Sequence, residues 1–299
     1  MDIAITGSSG LIGSALTRSL EADGHTVVPV VRRPTRPGER AVTWDPTGGT
    51  IDAAALEGLD GVVHLAGEGI ADKRWSDEQK RRILESRTSG TRVLTDALAG
   101  LDRPPGVLLS GSAVGFYGDR GDEVLTEASG PGDGFLAEVC QAWEGAAAPA
   151  VDAGIRTAFL RTGIVLSADG GALAKMLPLF KAFVGGRLGS GRQWWPWISI
   201  HDEVGAIRFL LEADVAGPVD LTAPSPVTNA ELTKALGSVL GRPTALPVPS
   251  FGPKLLLGGE LAEALLFVSQ RVTPAVLTDA GYEFAHPDVT SALRAVLDR

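Results

Sequence analysis

The stretch Met1-Asp-Ile-Ala-Ile-Thr-Gly-Ser-Ser-Gly-Leu-Ile-Gly13 decides the fold, because a short apolar run in it ends in glycines that recur every third residue. The apolar run predicts a buried first strand over Ile3–Ile5, and the residues that follow predict a helix over Leu11–Ala22. A strand, a glycine-rich turn and a helix in this order are typical of a dinucleotide-binding unit. The stretch therefore predicts an α/β fold whose first turn holds a nucleotide cofactor.

Each glycine of this turn has its own physical reason. Gly7 allows a tight turn, Gly10 lets the backbone approach a pyrophosphate, and Gly13 lets the helix pack closely on the strand. The helix N-terminus adds free N–H groups and a partial positive charge, and both favour a phosphate. The alternative is a purely structural turn, since glycine-rich turns also occur in folds that bind no nucleotide.

The end of the second predicted strand, Thr26–Val31, bears on the choice of cofactor. Arg32 and Arg33 follow it, where an NAD-selective fold would place Asp or Glu. A carboxylate there binds the ribose 2′-hydroxyl and repels a 2′-phosphate, whereas arginine binds the phosphate. The pair therefore predicts NADP as the cofactor. The alternative is that both arginines are solvated loop charges.

Composition excludes several classes of protein. The 299 residues are 44% hydrophobic and 21% charged, which is typical of a globular chain with a substantial core and argues against disorder. The net charge of −9, with no basic stripe, excludes nucleic acid and an anionic membrane as partners. Cys140 is the one cysteine, so there is no intramolecular disulfide, and from the start of the first strand we expect no leader peptide. We expect a cytoplasmic protein.

Strand-like and helix-like segments alternate along the chain, which predicts a doubly wound parallel sheet of the Rossmann type. Further strands are predicted at Gly61–Leu65, Gly106–Ser110, Thr157–Leu160, Ile198–Ile200 and Val219–Leu221, and further helices at Val204–Glu212 and Thr228–Leu240. We assign residues 1–240 to the cofactor-binding domain, with a loop insertion over the site at residues 166–198. Recurrent prolines from Pro243 onward mark the start of a smaller C-terminal lobe, residues 241–299.

Several motifs resemble those of extended short-chain dehydrogenases/reductases, the superfamily of nucleotide-sugar epimerases and dehydratases. They are Thr6-Gly-Ser-Ser-Gly-Leu-Ile-Gly13, Asp60-Gly-Val-Val-His-Leu-Ala-Gly67 and Gly111-Ser-Ala-Val-Gly-Phe-Tyr-Gly118. Narrower motifs resemble the atypical "epimerase family" proteins: Phe135-Leu-Ala-Glu-Val-Cys140, Arg161-Thr-Gly-Ile-Val-Leu166 and Trp195-Pro-Trp-Ile198. The C-terminal lobe is similar to a domain of unknown function. The resemblance spans nearly the whole chain.

The resemblance implies which residues lie near the cofactor. Leu65, Ala66 and Gly67 would lie on the adenine and ribose side, with Arg87 and Ile164 also close. The alternative for Arg87 is an ordinary surface residue in a run of charges. Together the predicted cofactor residues are Gly7, Ser9, Gly10, Leu11, Ile12, Gly13, Arg32, Arg33, Leu65, Ala66, Gly67, Arg87, Ser110 and Ile164.

The chain lacks the Tyr-x-x-x-Lys pair of ordinary superfamily members, in which the lysine lowers the pKa of the tyrosine. Its two tyrosines, Tyr117 and Tyr282, are followed four residues later by Gly121 and His286. The corresponding helix carries Phe135 and Val139 instead. Neither side chain exchanges a proton, so another group must replace the pair if the protein is an enzyme.

Two residues are candidates for contact with a substrate. Ser112 matches the superfamily's substrate-binding serine, and the alternative is a strand-end serine that bonds the backbone. Tyr117 ends the same motif and is placed to reach the nicotinamide; the alternative is a packing tyrosine. The four histidines and one cysteine show no metal-ligand spacing, so no metal is expected.

The sequence thus favours an NADP(H)-binding oxidoreductase or epimerase-like protein that acts on the carbonyl or hydroxyl group of a small molecule. Ser112 and Tyr117 would orient the reacting oxygen. The alternative is a protein without turnover that senses NADP(H) or serves as a scaffold, since fold alone does not establish catalysis. The expected partner is a small-molecule substrate, and the sequence is also compatible with a homodimer.

Overall fold

A computed structural model of the chain describes residues 1–36, 38–244 and 246–299. Residues 37 and 245, which belong to the predicted domain and lobe, lie outside the described residues. The strands are β1 (Asp2–Thr6), β2 (Thr26–Val31), β3 (Val42–Asp45), β4 (Thr50–Ile51), β5 (Gly61–His64), β6 (Val107–Ala113), β7 (Val124–Leu125), β8 (Arg156–Thr162), β9 (Ile164–Leu166), β10 (Trp194–Trp195), β11 (Trp197–Ser199), β12 (Gly217–Leu221), β13 (Val227–Thr228) and β14 (Arg271–Val272).

The α-helices are α1 (Leu11–Ala22), α2 (Asp77–Ala99), α3 (Phe135–Gly145), α4 (Ala148–Asp152), α5 (Gly171–Lys181), α6 (Ile200–Glu212), α7 (Asn229–Leu240), α8 (Phe251–Leu257), α9 (Gly259–Ala262), α10 (Ala275–Asp279) and α11 (Val289–Val296). Short 3₁₀ turns cover Ala53–Leu56 and Val114–Tyr117, and a π-helical turn covers Glu263–Phe267. Within the described ranges, no helix is both long and apolar enough to cross a bilayer.

The main sheet has eight strands in the order β12-β8-β6-β5-β1-β2-β3-β4. All neighbours are parallel except the edge pair β3 and β4. The order runs outward from β1 in both directions, so the carboxyl ends of β1 and β5 lie at the point where the connections change direction. Ligands of such sheets bind at this point.

Both faces of the sheet are covered, which confirms the predicted doubly wound architecture. One apolar cluster packs α1 and α6 on one face, around residues such as Ile5, Leu16 and Leu210. A second cluster packs α2 and α4 on the other face, around Leu94 and Ala150. Parallel sheets need this double cover because their central strands are apolar on both sides.

A third cluster forms the smaller part of the molecule, and it is not made of residues 241–299 alone. Helix α11 packs on α7 there, with Leu293 and Leu236 fully buried beside Trp197. Leu277 of α10 packs instead into the main cluster. The C-terminal lobe therefore shares its cores with elements that precede residue 241.

The segment 166–198 differs from the predicted loop. It contains α5, whose Leu173, Leu177 and Phe180 are buried in the third cluster, and the short strands β10 and β11. Its glycine-rich part, residues 185–192, has no helix or strand longer than a single bridge.

Candidate cofactor and active site

The glycine turn after β1 has the geometry that its spacing predicts. Gly7 has a φ of +67°, and a Cβ on it would lie 3.0 Å from the Leu65 carbonyl carbon. A Cβ on Gly13 would lie 2.2 Å from the Gly7 oxygen, well inside van der Waals contact. Gly10 precedes α1 without a side-chain cap, and the first turn carries no acidic residue. The N–H groups of this helix N-terminus therefore remain available to an anion.

A hydrogen-bond cluster fixes the end of β5 against this turn. Thr6 Oγ1 accepts the N–H groups of Leu65 and Ala66, each at 3.0 Å, and contacts His64 Nδ1 at 2.8 Å. His64 Nε2 lies 3.0 Å from Thr91 Oγ1. Complete burial lowers the pKa of His64 to about 4, so the ring is neutral at physiological pH. His64 is therefore a core residue that positions Leu65–Gly67.

A cleft of about 1580 Å³ opens beside the turn, at the carboxyl ends of β1, β2 and β5. Of the predicted cofactor residues, it is lined by Gly7, Ser9, Gly10, Arg32, Arg33, Leu65, Ala66 and Gly67. Its volume and position suit the adenosine half of a dinucleotide.

The two arginines at this cleft differ in their partners. Arg33 forms a bidentate pair with Glu39, at 2.9 and 2.5 Å, and this pairing lowers the pKa of Glu39 to about 2. Arg32 lines the same cleft and, among the described residues, has no ion-pair partner. Both are exposed, as the loop-charge alternative also requires.

A second cavity of about 460 Å³ meets the first at Gly7, Gly10 and Leu65. Of the predicted residues, it is lined by Leu11, Ile12, Gly13, Arg87, Ser112 and Ile164. Its remaining walls are largely apolar and aromatic: Ile70, Leu136, Val139, Trp143, Trp194, Trp195, Leu265 and Val268. The arrangement suits a nicotinamide ring together with a small apolar ligand.

Arg87 is a buried cation, so the surface alternative for it is wrong. It is 7% exposed, and its Nη1 donates to the Glu68 and Ile83 carbonyl oxygens at 3.0 and 3.2 Å. Its guanidinium lies 4.9 Å from the centroid of the Trp143 ring. Burial lowers the pKa of Arg87, and no carboxylate within the described ranges lies at ion-pair distance from it. The two carbonyl oxygens and the face of the Trp143 ring stabilise this buried charge in place of a carboxylate.

Ser112 lies in the wall of the smaller cavity, in contact with a carboxylate that the sequence did not reveal as its partner. Its Oγ donates to Glu144 Oε1 at 2.7 Å. Arg161 Nε and Nη2 donate to the two oxygens of the same carboxylate at 2.9 and 3.0 Å. The side chains of Arg161 and Glu144 are 5% and 13% exposed. Burial opposes the charge of Arg161, but its bonds to Glu144 more than compensate and raise its pKa.

Tyr117 does not lie where a substrate-orienting residue must be. It is fully buried and lines neither cavity. Its hydroxyl donates to Asp220 at 2.8 Å and accepts from Arg161 Nη1 at 3.0 Å. Burial and the Asp220 charge raise the pKa of Tyr117 above its ordinary value. The predicted catalytic role is therefore corrected: Tyr117 is a core residue whose hydroxyl forms hydrogen bonds with the buried side chains of Asp220 and Arg161.

Ser110 also lies away from both cavities. It is completely buried on β6, and its Oγ has no hydrogen-bond partner within the described ranges. The predicted contact of its side chain with the cofactor finds no support in this position.

The helix that normally carries the Tyr-x-x-x-Lys pair is α3. Val139 lines the smaller cavity, and Phe135 packs edge-on against Trp75, with 5.0 Å between ring centroids. Cys140 lies on the same wall, and burial raises its pKa to about 11, which excludes a thiolate at neutral pH. No group of three or more metal-ligating side chains occurs in the parts of the chain that the structure describes.

Fold and site define the class: a Rossmann-type protein of the extended short-chain dehydrogenase/reductase kind, with a second cavity beside the glycine turn. Residues 3–221 match the NAD dependent epimerase/dehydratase family, and residues 248–296 match a domain of unknown function, DUF1731. The chain belongs to the NAD dependent epimerase/dehydratase family.

Similar proteins agree with this assignment over the full length of the chain. An epimerase family protein of Mycobacterium bovis is 46% identical over 292 residues, covering 97% of this chain and 96% of its own. The epimerase family protein SDR39U1 of Homo sapiens is 35% identical over 301 residues, covering 99% and 100%. A crystal structure of the human protein (isoform 2) with NADPH is 34% identical, covers 100% of both chains and superposes with a TM-score of 0.91.

Proposed function

We propose that the protein is an NADP(H)-dependent oxidoreductase that acts on the carbonyl or hydroxyl group of a small molecule. The observation that carries this proposal is the meeting of two cavities at the glycine turn, one wide and arginine-lined, the other small and apolar. The structure of the human relative with NADPH supports the choice of cofactor.

The residues present fit the cofactor. The N-terminus of α1 would hold the pyrophosphate, since its N–H groups have no side-chain cap and its first turn carries no acidic residue. Arg32 would bind the 2′-phosphate. Its neighbour Arg33 is paired with Glu39. Leu65–Gly67 would line the adenosine. NADP(H), when bound, supplies the hydride carrier of the reaction.

The protein's own contribution in the smaller cavity is orientation and exclusion of water. Ser112 and Arg87 both line this cavity, so a hydroxyl group and a positive charge are available to a ligand there. Ile70, Leu265 and Val268 line the cavity from two separate segments, which excludes water from a bound ligand. This volume suits a small substrate.

The test is a titration of purified protein with NADPH and with NADH, followed by nicotinamide fluorescence. We expect NADPH to bind at least about tenfold more tightly, the equivalent of one charge-assisted contact. A panel of aldehydes, ketones, quinones and sugars is then added to the saturated complex, and absorbance at 340 nm reports NADPH oxidation. Tighter binding of NADH would overturn the assignment of NADP.

The same experiment distinguishes the oxidoreductase from the second candidate function, a protein that binds NADP(H) without turnover. Phe135 and Val139, which occupy the positions of the Tyr-x-x-x-Lys pair, favour this alternative. It requires tight NADPH binding with no oxidation by any compound of the panel. A cytoplasmic location and a homodimer stay predictions from the sequence.

A further inference from the structure

The hydrogen bond from Ser112 to Glu144 fixes which way the serine hydroxyl points. A serine has one proton to donate, and here it goes to Glu144 Oε1 at 2.7 Å. Glu144 is the acceptor in this bond because Arg161 already donates to both of its oxygens. Toward the cavity, Ser112 Oγ therefore acts as a hydrogen-bond acceptor through its lone pairs. A ligand that contacts this oxygen must donate a proton, which a hydroxyl group does and a carbonyl group does not.

We propose that Glu144, acting through Ser112, replaces the missing Tyr-x-x-x-Lys pair, and that the ligand of the smaller cavity is a small apolar alcohol oxidised to a carbonyl compound. The inference rests on the proposed function and deepens it by naming the substrate class. Ser112 is the residue that touches the substrate. Glu144 is a positioning residue that also takes up the proton.

The step balances in atoms and electrons. The O–H bond of the alcohol breaks and its proton passes to Ser112 Oγ, while the Ser112 proton passes to the Glu144 carboxylate. The carbinol C–H bond breaks, its electron pair leaves as hydride to NADP⁺, and the C=O bond forms. The sum is alcohol plus NADP⁺ giving carbonyl compound, NADPH and one proton, which is held on Glu144 and later released to water.

A rival pair lies on the same cavity, and its chemistry is different. Thr162 lines the cavity and donates to Glu203 at 2.9 Å. Glu203 is completely buried without a cation, and burial raises its pKa to about 8. It is therefore protonated at neutral pH and accepts no further proton. Glu144 differs in that Arg161 donates to both oxygens of its carboxylate, so it has the counter-ion that Glu203 lacks.

The charged and titratable groups around Glu144 come from every element packed against it. Arg161 on β8 faces it directly, Asp220 on β12 lies beyond Tyr117, Cys140 precedes it on α3, and Arg87 faces Cys140 from α2. Arg161 is the cation in direct contact. Since the relay needs Glu144 as its proton acceptor, replacing the carboxylate by a neutral amide should lower the rate of alcohol oxidation.

The experiment compares wild type with Glu144→Gln, Glu144→Asp and Ser112→Ala. NADP⁺ reduction is followed at 340 nm from pH 5.5 to 9.5, with cyclohexanol, 1-phenylethanol and 1-indanol as probes. We expect Glu144→Gln to lower kcat at least about 100-fold at each pH of the series, the usual contribution of a general base. The KM for NADP⁺ should stay within about twofold, because Glu144 lines neither cavity.

Two further variants distinguish a loss of catalysis from a loss of folding. Glu144→Asp keeps the charge opposite Arg161, and Ser112→Ala leaves the ion pair untouched; both should lower kcat while melting as the wild type does. Glu138→Gln is the matched control, since Glu138 is exposed on the same helix, and it should leave kcat and its pH profile unchanged.

A binding readout complements the rates. In the NADP⁺ complex, 1-indanol should raise the melting temperature more than 1-indanone does, and Ser112→Ala should remove this difference. Wild type that fails to bind NADPH overturns the proposed function itself. Wild type that binds NADPH but neither oxidises the alcohols nor prefers 1-indanol overturns the relay alone. So does a Glu144→Gln variant with wild-type kcat and pH profile.

Discussion

At the scale of single residues, the neighbouring Arg32 and Arg33 carry the same charge in different surroundings. The charge of Arg33 is balanced by Glu39, whereas Arg32 faces the cleft without an ion-pair partner among the described residues. A 2′-phosphate would therefore gain more from Arg32, because Arg33 must share its donors with a carboxylate.

Arg32→Ala should consequently weaken NADPH binding by about 10- to 100-fold, the value of a hydrogen bond to a charged group, and leave NADH binding unchanged. Arg33→Ala should weaken NADPH binding less. Fluorescence titrations of both variants with both cofactors at one ionic strength measure the difference. Equal losses for NADPH and NADH would show that neither arginine reads the 2′-phosphate.

At the scale of elements, the packing of α1 on β1 depends on the absence of a side chain at position 13. A Cβ there would lie 2.2 Å from the Gly7 oxygen, and the atoms it would meet belong to the backbone of Gly7 and Ser8, which has no flexible side-chain end to move aside. Gly13→Ala must therefore move the helix away from the turn, which misplaces the N–H groups that would hold the pyrophosphate.

We expect Gly13→Ala to lower the free energy of unfolding by about 2 kcal/mol or more, as overpacking does, and to weaken NADPH binding at least about tenfold. Urea denaturation and cofactor titration measure the two effects. Gly252→Ala in α8 is the matched control, since a Cβ there meets nothing within 4 Å. A Gly13→Ala variant as stable as wild type would mean that the turn relaxes at no cost.

Elements with strong local signals could be predicted from the sequence, and elements set by distant contacts could not. The bounds of α1 and β2 agree with prediction because glycine spacing and β-branched runs are local features. Strands β3 and β4 were missed since they hold only four and two residues at the sheet edge. Helix α5 was missed because Gly171 and Pro178 disfavour a helix locally, whereas burial in the third cluster stabilises it.

The candidate site, like the fold, could be predicted from the sequence only in part. Glycines, arginines and Ser112 could be read from the sequence, but the role of Glu144 could not. Glu144 lies six positions after Glu138 on the helix, and this spacing indicates no pair. Its partners lie instead across the sheet, on β6 and β8, where only the fold brings Ser112 and Arg161 to one carboxylate. Contacts between residues so far apart along the chain leave no pattern in the sequence.

At the scale of the whole molecule, Glu203 makes stability depend on pH. It lies on α6 with 0% exposure, its Oε1 accepts from Thr162, and its Oε2 has no partner among the described residues. Burial raises its pKa from the ordinary 4.5 to about 8. Below pH 4.5 the group is protonated in both the folded and the unfolded chain and has no effect. Between these two values the unfolded chain ionises while the folded chain does not, so stability falls as pH rises.

Glu203→Gln removes this linkage, because the amide is neutral at every pH and is nearly isosteric with the protonated acid. We expect the variant to gain about 3 kcal/mol in free energy of unfolding over wild type near pH 7, a still larger gain at pH 8.5, and little gain at pH 5. Urea unfolding at these three pH values measures it, with Glu212→Gln as the control, since Glu212 is exposed on the same helix. A gain that does not change with pH would mean that Glu203 is ionised in the folded protein, and a cation or water would then have to reach its Oε2.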